Sequence, residues 1–436
     1  MSTKGLCSSG AFGALRERAL AMFSRSPRGV RARSRPGFRA FGVVLLAAAL
    51  SLSLAVPGAA IPRPDDDPFY AAPADLAGYP AGAIVRSRPI TLLGLPLPVS
   101  AWQVQYRTND ADGLPTPGMA TVLVPNLPWW GAGERPLLSY QVPEDSLGTQ
   151  CAPSYALRGG WEMSGITTYT DTPFLADALR RGWALVVSDH EGPWSRFLDG
   201  MNAGYAVLDG IRAARALAPG GVGAASPVGA YGYSGGAYAT LWAAQLQPGY
   251  APDVEFAGIT AGGVPADWPA IARGVDGGAQ AGLALLIVLS VARDHPGYGV
   301  AELLNERGRA LLAEDGSACG LDLVLKYANA RVDDFALEPN LLSHPAFLAA
   351  TAAQELGGTA PRVPAYLYHS TTDDVIPVAG FTVLVDRYCA LGADLTVTHS
   401  TLSGHNPTAI VEAFGAMNYL GDRFAGAPVA AGCHAR

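Results

Sequence analysis

Gly232-Tyr233-Ser234-Gly235-Gly236 is the only Gly-x-Ser-x-Gly in the chain. A serine in that setting becomes a nucleophile when a buried strand turns sharply into a helix and leaves its hydroxyl exposed at the turn. The flanks fit, because Pro227 to Gly232 reads as an apolar strand and Gly235 to about Leu246 as a small-residue helix. Glycine at 232 and 236 lets the two pack closely around a serine held in an unfavourable backbone conformation.

A serine hydroxyl needs a base, and the base needs an orienting carboxylate. For a serine on such an elbow the chain order is serine, acid, histidine. Among the late histidines, His399 falls within a strand and His434 lies next to the chain end. His405 follows Ser403-Gly404 in the loop after the last strand, before the terminal helix, and is the candidate base. The acid belongs to the loop after the strand Ala365 to His369, where Asp373 and Asp374 compete. Asp373, the first after the small residues, is the candidate acid, and Asp374 reads as a helix-capping or solvated residue. The tetrahedral oxyanion requires two N–H donors, each worth about 3–4 kcal/mol. One is the amide of Gly235, the residue after the nucleophile. The other is expected between Glu144 and Ser146, with Asp145 favoured, in the loop after the strand Leu137 to Tyr140.

These groups need a scaffold of strands alternating with helices. Trp102 to Tyr106 and Met119 to Val124 read as an opening antiparallel hairpin. Strands at Leu137–Tyr140, Trp183–Val187, Pro227–Gly232, Val254–Thr260, Ala365–His369 and Leu395–His399 follow. Helices are expected at Thr172–Arg181, Asn202–Leu217 and Gly235–Leu246, and near 378–391 and 407–421. That alternation implies an α/β fold with a mostly parallel sheet covered on both faces. Residues 264–360 break it and read as a helical insertion capping the carboxyl edge of the sheet. Its apolar run 281–289 reads as core or as the wall of an acyl tunnel.

The 436 residues carry a net charge of −7, with 49% hydrophobic side chains, enough for a large core. The charge is asymmetric. Residues 1–60 hold nine basic side chains against Glu17 alone, so the remainder, with 21 basic and 36 acidic residues, stands at −15. A body that acidic argues against nucleic-acid binding and for a neutral partner. Residues 40–56 are uncharged and almost wholly apolar, preceded by an Arg-rich stretch and followed by Gly58-Ala59-Ala60. This is the layout of an export signal over 1–60 cleaved after Ala60, with Met22 an alternative start and an uncleaved anchor the competing reading. The body is then 61–436, and the protein is expected to be secreted. Export leaves Cys151, Cys319, Cys389 and Cys433, an even set implying two disulfides with three pairings open. Neither cofactor nor metal is called for, since no cysteine pair has metal-ligand spacing.

The chain resembles the secretory lipase family over nearly all of 65–433. The likeness rests on Asp67-Pro68-Phe69-Tyr70, Ser139-Tyr140-Gln141, Glu144-Asp145-Ser146, Cys151-Ala152-Pro153-Ser154-Tyr155, Asp189-His190-Glu191-Gly192-Pro193, the Ser234 elbow, Ala261-Gly262-Gly263-Val264-Pro265, the Asp373 loop and Gly404-His405. It implies a secreted α/β hydrolase with a helical cap, acting on acylglycerols and other carboxylic esters. It carries over Ser234, Asp373 and His405 as triad, Asp145 and Gly235 as oxyanion hole, and Cys151–Cys319 and Cys389–Cys433 as disulfides. His190 departs from the aromatic expected beside Asp189. The implied partner is a small ester or lipid, with transient contact to a lipid interface and no obligate protein. Acyl transfer or peptide cleavage on the same triad, and a non-catalytic binding protein of this fold, are the alternatives.

Overall fold

Strand β6 (Val228–Tyr233) is buried at every position, as are β4 (Leu137–Gln141) and β5 (Ala184–Ser188). Strands apolar along both faces must be covered on both sides, which is the signature of a parallel sheet between helical layers. In the computed structural model, which describes residues 61–161 and 165–435, these strands form the middle of one ten-stranded sheet. The remaining strands are β1 (Ile84–Ile90), β2 (Val99–Asn109), β3 (Pro115–Pro125), β7 (Phe256–Gly262), β8 (Ala365–Thr372), β9 (Leu395–Ser403) and β10 (Cys433–Ala435), in the order β1-β2-β3-β5-β4-β6-β7-β8-β9-β10. Pairings from β1 to β5 along that order are antiparallel, and all those beyond β5 are parallel. The export signal expected over 1–60 lies outside the described residues. Among the described residues, no helix is long and apolar enough to cross a membrane.

Side chains alternate along β6, and each set finds its own helical layer. Val228 packs with Ala203 and Val207 of α3 (Gly200–Leu217) and Ala239 of α4 (Gly235–Tyr250). Ala230 joins a second cluster on that face, with Ala237 and Leu241 of α4 and Phe381 of α10 (Val378–Ala390). Tyr231 and Tyr233 point the other way, beside Phe174 of α2 (Ile166–Arg180) and Ala413 and Met417 of α11 (His405–Phe424). A short α1 (Pro153–Leu157) precedes α2. The antiparallel edge is wider than the residue pattern suggests, since β1, inside a stretch without period-2 alternation, pairs with β2. The parallel edge gains β10, only three residues long, which Cys389–Cys433 ties to α10.

Between β7 and β8 the chain is helical: α5 (Trp268–Val275), α6 (Ala281–Asp294), α7 (Glu306–Asp315), α8 (Gly320–Lys326) and α9 (Pro345–Ala352). These helices share one apolar core with the sheet: Leu285, Leu286, Val288 and Leu289 of α6 cluster with Ile259 of β7 and Leu367 of β8. At Gly282 a Cβ would lie 2.2 Å from the Leu323 carbonyl oxygen, so α6 and α8 touch backbone to backbone.

Candidate active site

Ser234 caps the first turn of α4 with φ 54° and ψ −126°, a strained conformation for a residue with a side chain. The neighbouring glycines make it sterically feasible. A Cβ at Gly232 would come 2.1 Å from Gly236 O, and one at Gly236 would come 2.0 Å from Gln141 O. Strand β6, the turn and α4 are thus packed against each other and against β4 with no room for a methyl group. The Ser234 amide donates to Gly262 O at the end of β7, fixing the turn from the other side.

His405 opens α11 after Gly404, whose φ of 91° favours glycine. Its Nδ1 lies 2.8 Å from Asp373 Oδ2, so Nδ1 carries the proton and donates it to the carboxylate. Asp373 Oδ1 accepts the amides of Val375 and Ile376 at 2.9 and 2.8 Å. Burial pushes the Asp373 carboxyl up, but the His405 bond and charge and the two amides outweigh it and hold the group below its ordinary value. The His405 backbone is gripped twice: its N–H donates to Asp374 Oδ1 at 2.8 Å, and its carbonyl accepts from Tyr233 Oη at 2.8 Å. Asp374 is exposed, and it caps a helix other than the one that follows it, since its carboxylate accepts the free N–H of His405 at the start of α11. α10 begins after Pro377 with no side-chain cap, and the carboxylate of Asp374 holds the histidine's main chain. His399 is exposed on β9, and His434 is exposed on β10.

Ser234 and His405 line one cavity of about 280 Å³, together with Asp145, Thr170, Asp171, Gln280, Leu283 and Asn406. No hydrogen bond joins Ser234 Oγ to the imidazole in this state. Such contacts often tighten only when substrate is bound. A smaller apolar recess of about 40 Å³ adjoins Ser234 and Gly235, walled by Phe197, Trp268, Ile271, Leu283 and Ile287. Leu283 and Ile287 of the apolar run 281–289 thus wall the recess beside the serine, while Leu285, Leu286, Val288 and Leu289 belong to the core.

The loop after β4 brings Asp145 beside the elbow. Asp145 has φ 45°, and a Cβ on Gly235 would lie 2.1 Å from its Oδ1. Of the two amides nearest this point in the loop, that of Ser146 donates to Glu191 Oε1 at 3.3 Å, whereas that of Asp145 has no partner among the described residues. The segment after β5 clamps the loop on both sides of Asp145: before it, the His190 amide donates to Glu144 Oε1 and His190 Nε2 donates to Val142 O at 2.9 Å, and after it Glu191 accepts the Ser146 amide. The insertion grips it as well, because the Leu147 amide donates to Ala318 O and Cys151 is bonded to Cys319. Glu144 and Glu191 fall within the runs Glu144-Asp145-Ser146 and Asp189-His190-Glu191, but nothing local in the sequence signals that their side chains hold this loop. Burial, with the charges of Glu191 and Asp189, holds the Glu144 carboxyl well above its ordinary value; burial and Asp145 do the same to Glu191. Burial raises Asp145 to about 6, with His405 opposing. Burial raises Asp171 to about 7 against the hydrogen bond it accepts from Tyr140 Oη. Burial also depresses His190 to about 4, so it is a neutral structural donor.

The profile of secretory lipases matches residues 157–432. The chain belongs to the secretory lipase family. Its relatives include a probable inactive lipase of Mycobacterium tuberculosis, 36% identical over 84% of this chain and 83% of that protein. Lipase A of Moesziomyces aphidis is 33% identical, with 83% of this chain and 82% of that protein covered. Among solved structures, the closed state of Candida antarctica lipase A superposes with a TM-score of 0.78 at 29% identity, covering 86% of this chain and 89% of that one. The secretory lipase assignment and these neighbours agree with the α/β-hydrolase fold expected from the sequence.

Proposed function

We propose that the protein is a secreted serine hydrolase that cleaves lipid and other carboxylic esters through an acyl-enzyme. The observation that carries this reading is the His405–Asp373 hydrogen bond of 2.8 Å, made beside a cavity that the strained Ser234 also lines. Rotation of the Ser234 hydroxyl toward His405 lets Nε2 take its proton as Oγ attacks the ester carbonyl. Asp373 holds the imidazole tautomer and stabilises the imidazolium. The amides of Asp145 and Gly235 receive the oxyanion, each supplying about 3–4 kcal/mol. His405 then protonates the departing alcohol, and water activated by the same imidazole releases the acid. The chemistry requires no cofactor or metal. The mostly apolar recess and cavity around the serine suit an acyl chain and a neutral alcohol. The helical insertion between β7 and β8 serves as the cap, and residues 1–60 as the export signal.

One observation favours a second reading, a protein of this fold without turnover: the relative at 36% identity is named a probable inactive lipase. The two are separated by fluorophosphonate labelling together with hydrolysis of a soluble p-nitrophenyl ester. Active wild type that labels at Ser234, with turnover reduced at least about 10³-fold in Ser234→Ala, is the expected result. A wild type that neither labels nor hydrolyses soluble or emulsified esters supports the non-catalytic reading.

A further inference from the structure

Behind the candidate triad sits a second imidazole that the mechanism above does not use. His369 lies near the end of β8, fully buried. Its Nε2 is 2.9 Å from Ile376 O and 3.6 Å from Asp373 Oδ2. A carbonyl oxygen only accepts, so Nε2 carries the proton and Nδ1 is bare. That bare Nδ1 is buried without a partner. The ring is stacked on Phe381 of α10 at 4.8 Å, and Phe381 in turn meets His399 edge-on at 5.7 Å. The side chain is therefore locked in one orientation and one tautomer, with its N–H directed at the Asp373 turn.

This arrangement is costly if its purpose is packing alone. A buried nitrogen left unsatisfied calls for a reason, and such exceptions concentrate at working sites. The turn itself supplies one. Asp373 Oδ1 is satisfied by the amides of Val375 and Ile376, while Oδ2 takes the proton-bearing Nδ1 of His405. The carbonyl of Ile376, the residue that closes this turn, is held by His369. The same N–H sits with its nitrogen 3.6 Å from Oδ2, too far for a hydrogen bond but close enough for its positive end to temper that oxygen's charge.

We propose that His369 is a positioning residue of the reaction: a neutral imidazole whose Nε2–H pins the Asp373–Ile376 turn and tempers the negative charge on the oxygen that orients His405. The proposal rests on the Ser234–His405–Asp373 reading. The titratable groups facing His369 are Asp373 on its own loop, His405 from α11 and His399 from β9. His405 is further faced by Asp145 from the β4 loop, by Tyr233 from β6 and by Asp374. Burial, the largest influence on His369, favours its neutral form. Its role as a donor therefore persists across the pH range in which His405 must alternate between neutral and charged forms.

The test compares His369→Phe, which fills the space without a donor, with His369→Gln, which restores an N–H. Without the dipole, Asp373 holds the His405 imidazolium more tightly. The acid limb of the kcat/KM profile on a soluble ester then moves upward, by about half a unit or more. With the turn loosened, kcat falls about tenfold, while KM stays within about twofold of wild type. His369→Gln returns both the limb and most of kcat. A His369→Phe enzyme with the wild-type limb and kcat, or a His369→Gln enzyme as impaired as His369→Phe, overturns the proposal. Should His369→Phe not fold, nitrogen-15 spectra of histidine-labelled wild type decide: a neutral Nε2–H tautomer from pH 5 to 8 supports the role, and a ring that titrates or is protonated at Nδ1 refutes it. Ser234→Ala runs in parallel. Activity retained there rejects the triad reading, whereas activity lost there with an unmoved His369→Phe profile rejects only the role of His369.

Discussion

Gly236→Ala tests whether the elbow is as tightly packed as its geometry implies. The added methyl would stand 2.0 Å from Gln141 O, 2.8 Å from Gln141 C and 3.3 Å from Val142 C. Non-bonded heavy atoms are best accommodated about 3.5 Å apart, so the start of α4 and the end of β4 must separate by roughly 1.5 Å. All three contacted atoms are backbone, and no rotamer change relieves them. Overpacking of this kind costs about 2–3 kcal/mol. The separation also carries Ser234 away from the loop that ends in Asp145, and a misplacement of about 1 Å at a reacting group costs on the order of 10²-fold in rate. The internal control is Gly249→Ala in the same helix, where nothing lies within 4 Å of the added carbon. That change should leave kcat unaltered and raise stability by about 0.4–1 kcal/mol. Urea midpoints and kcat on a soluble p-nitrophenyl ester, corrected by active-site titration, measure both effects. A Gly236→Ala protein with the wild-type midpoint and kcat would refute the claim that β4 and the elbow are in backbone contact.

Buried carboxyls should make stability greatest in mildly acidic solution. The raised groups Asp145, Asp171 and Asp189, at about 6, 7 and 7, bind protons more tightly folded than unfolded, so their contribution is full below about 4 and is lost as pH rises through 6–7. Asp67, lowered to about 2 because its bonds to Arg88, Phe69 and Arg158 outweigh burial, acts oppositely and is lost as pH falls from about 4 toward 2. Unfolding midpoints should therefore decline from pH 5 to 8, and Asp171→Asn should flatten that decline; a profile rising to pH 8 contradicts the assignment. Cys319→Ser should cost about 2–4 kcal/mol in urea melts and also lower kcat, because the bond it removes adjoins the Asp145 loop. A kcat equal to wild type in the folded variant separates the disulfide from the site. Asp374→Ala removes the acceptor for the His405 amide and should reduce kcat about tenfold with little change in midpoint, since the side chain is exposed; an unchanged kcat shows that Tyr233 alone suffices to hold the histidine.

What could be read from the chain beforehand follows the range of the forces involved. Ser234 stood out because its turn needs glycine at fixed offsets. His405 and Asp373 stood out because the fold dictates their order and places them in loops after strands. Of the two adjacent carboxylates, Asp373 is the one whose Oδ2 lies 2.8 Å from His405 Nδ1, whereas the use of Asp374 by a main-chain amide 31 residues away leaves no local trace in the sequence. Glu144 and Glu191 were equally opaque, since a buried carboxylate looks like a solvated one until the segment that covers it is known. β7 runs from Phe256 to Gly262, two residues later than its apolar pattern suggests, because Val254 is buried from the preceding turn. β10 is too short for any periodicity to register.

The covalent and hydrogen-bonded joint at residues 318–320 has a bearing on how substrate is admitted. Residues 318–320 of the insertion are tied to the loop after β4, whose Asp145 amide is an oxyanion donor in the proposed mechanism; a Cβ on Gly320 would even strike Asp145 O at 2.1 Å. On the proposed mechanism, a movement of the insertion at this corner would displace the Asp145 amide from the oxyanion as substrate arrived. In that mechanism the corner is a fixed abutment, and Thr167 and Thr170 of α2 and Asn406 of α11, which line the same cavity, are not part of it.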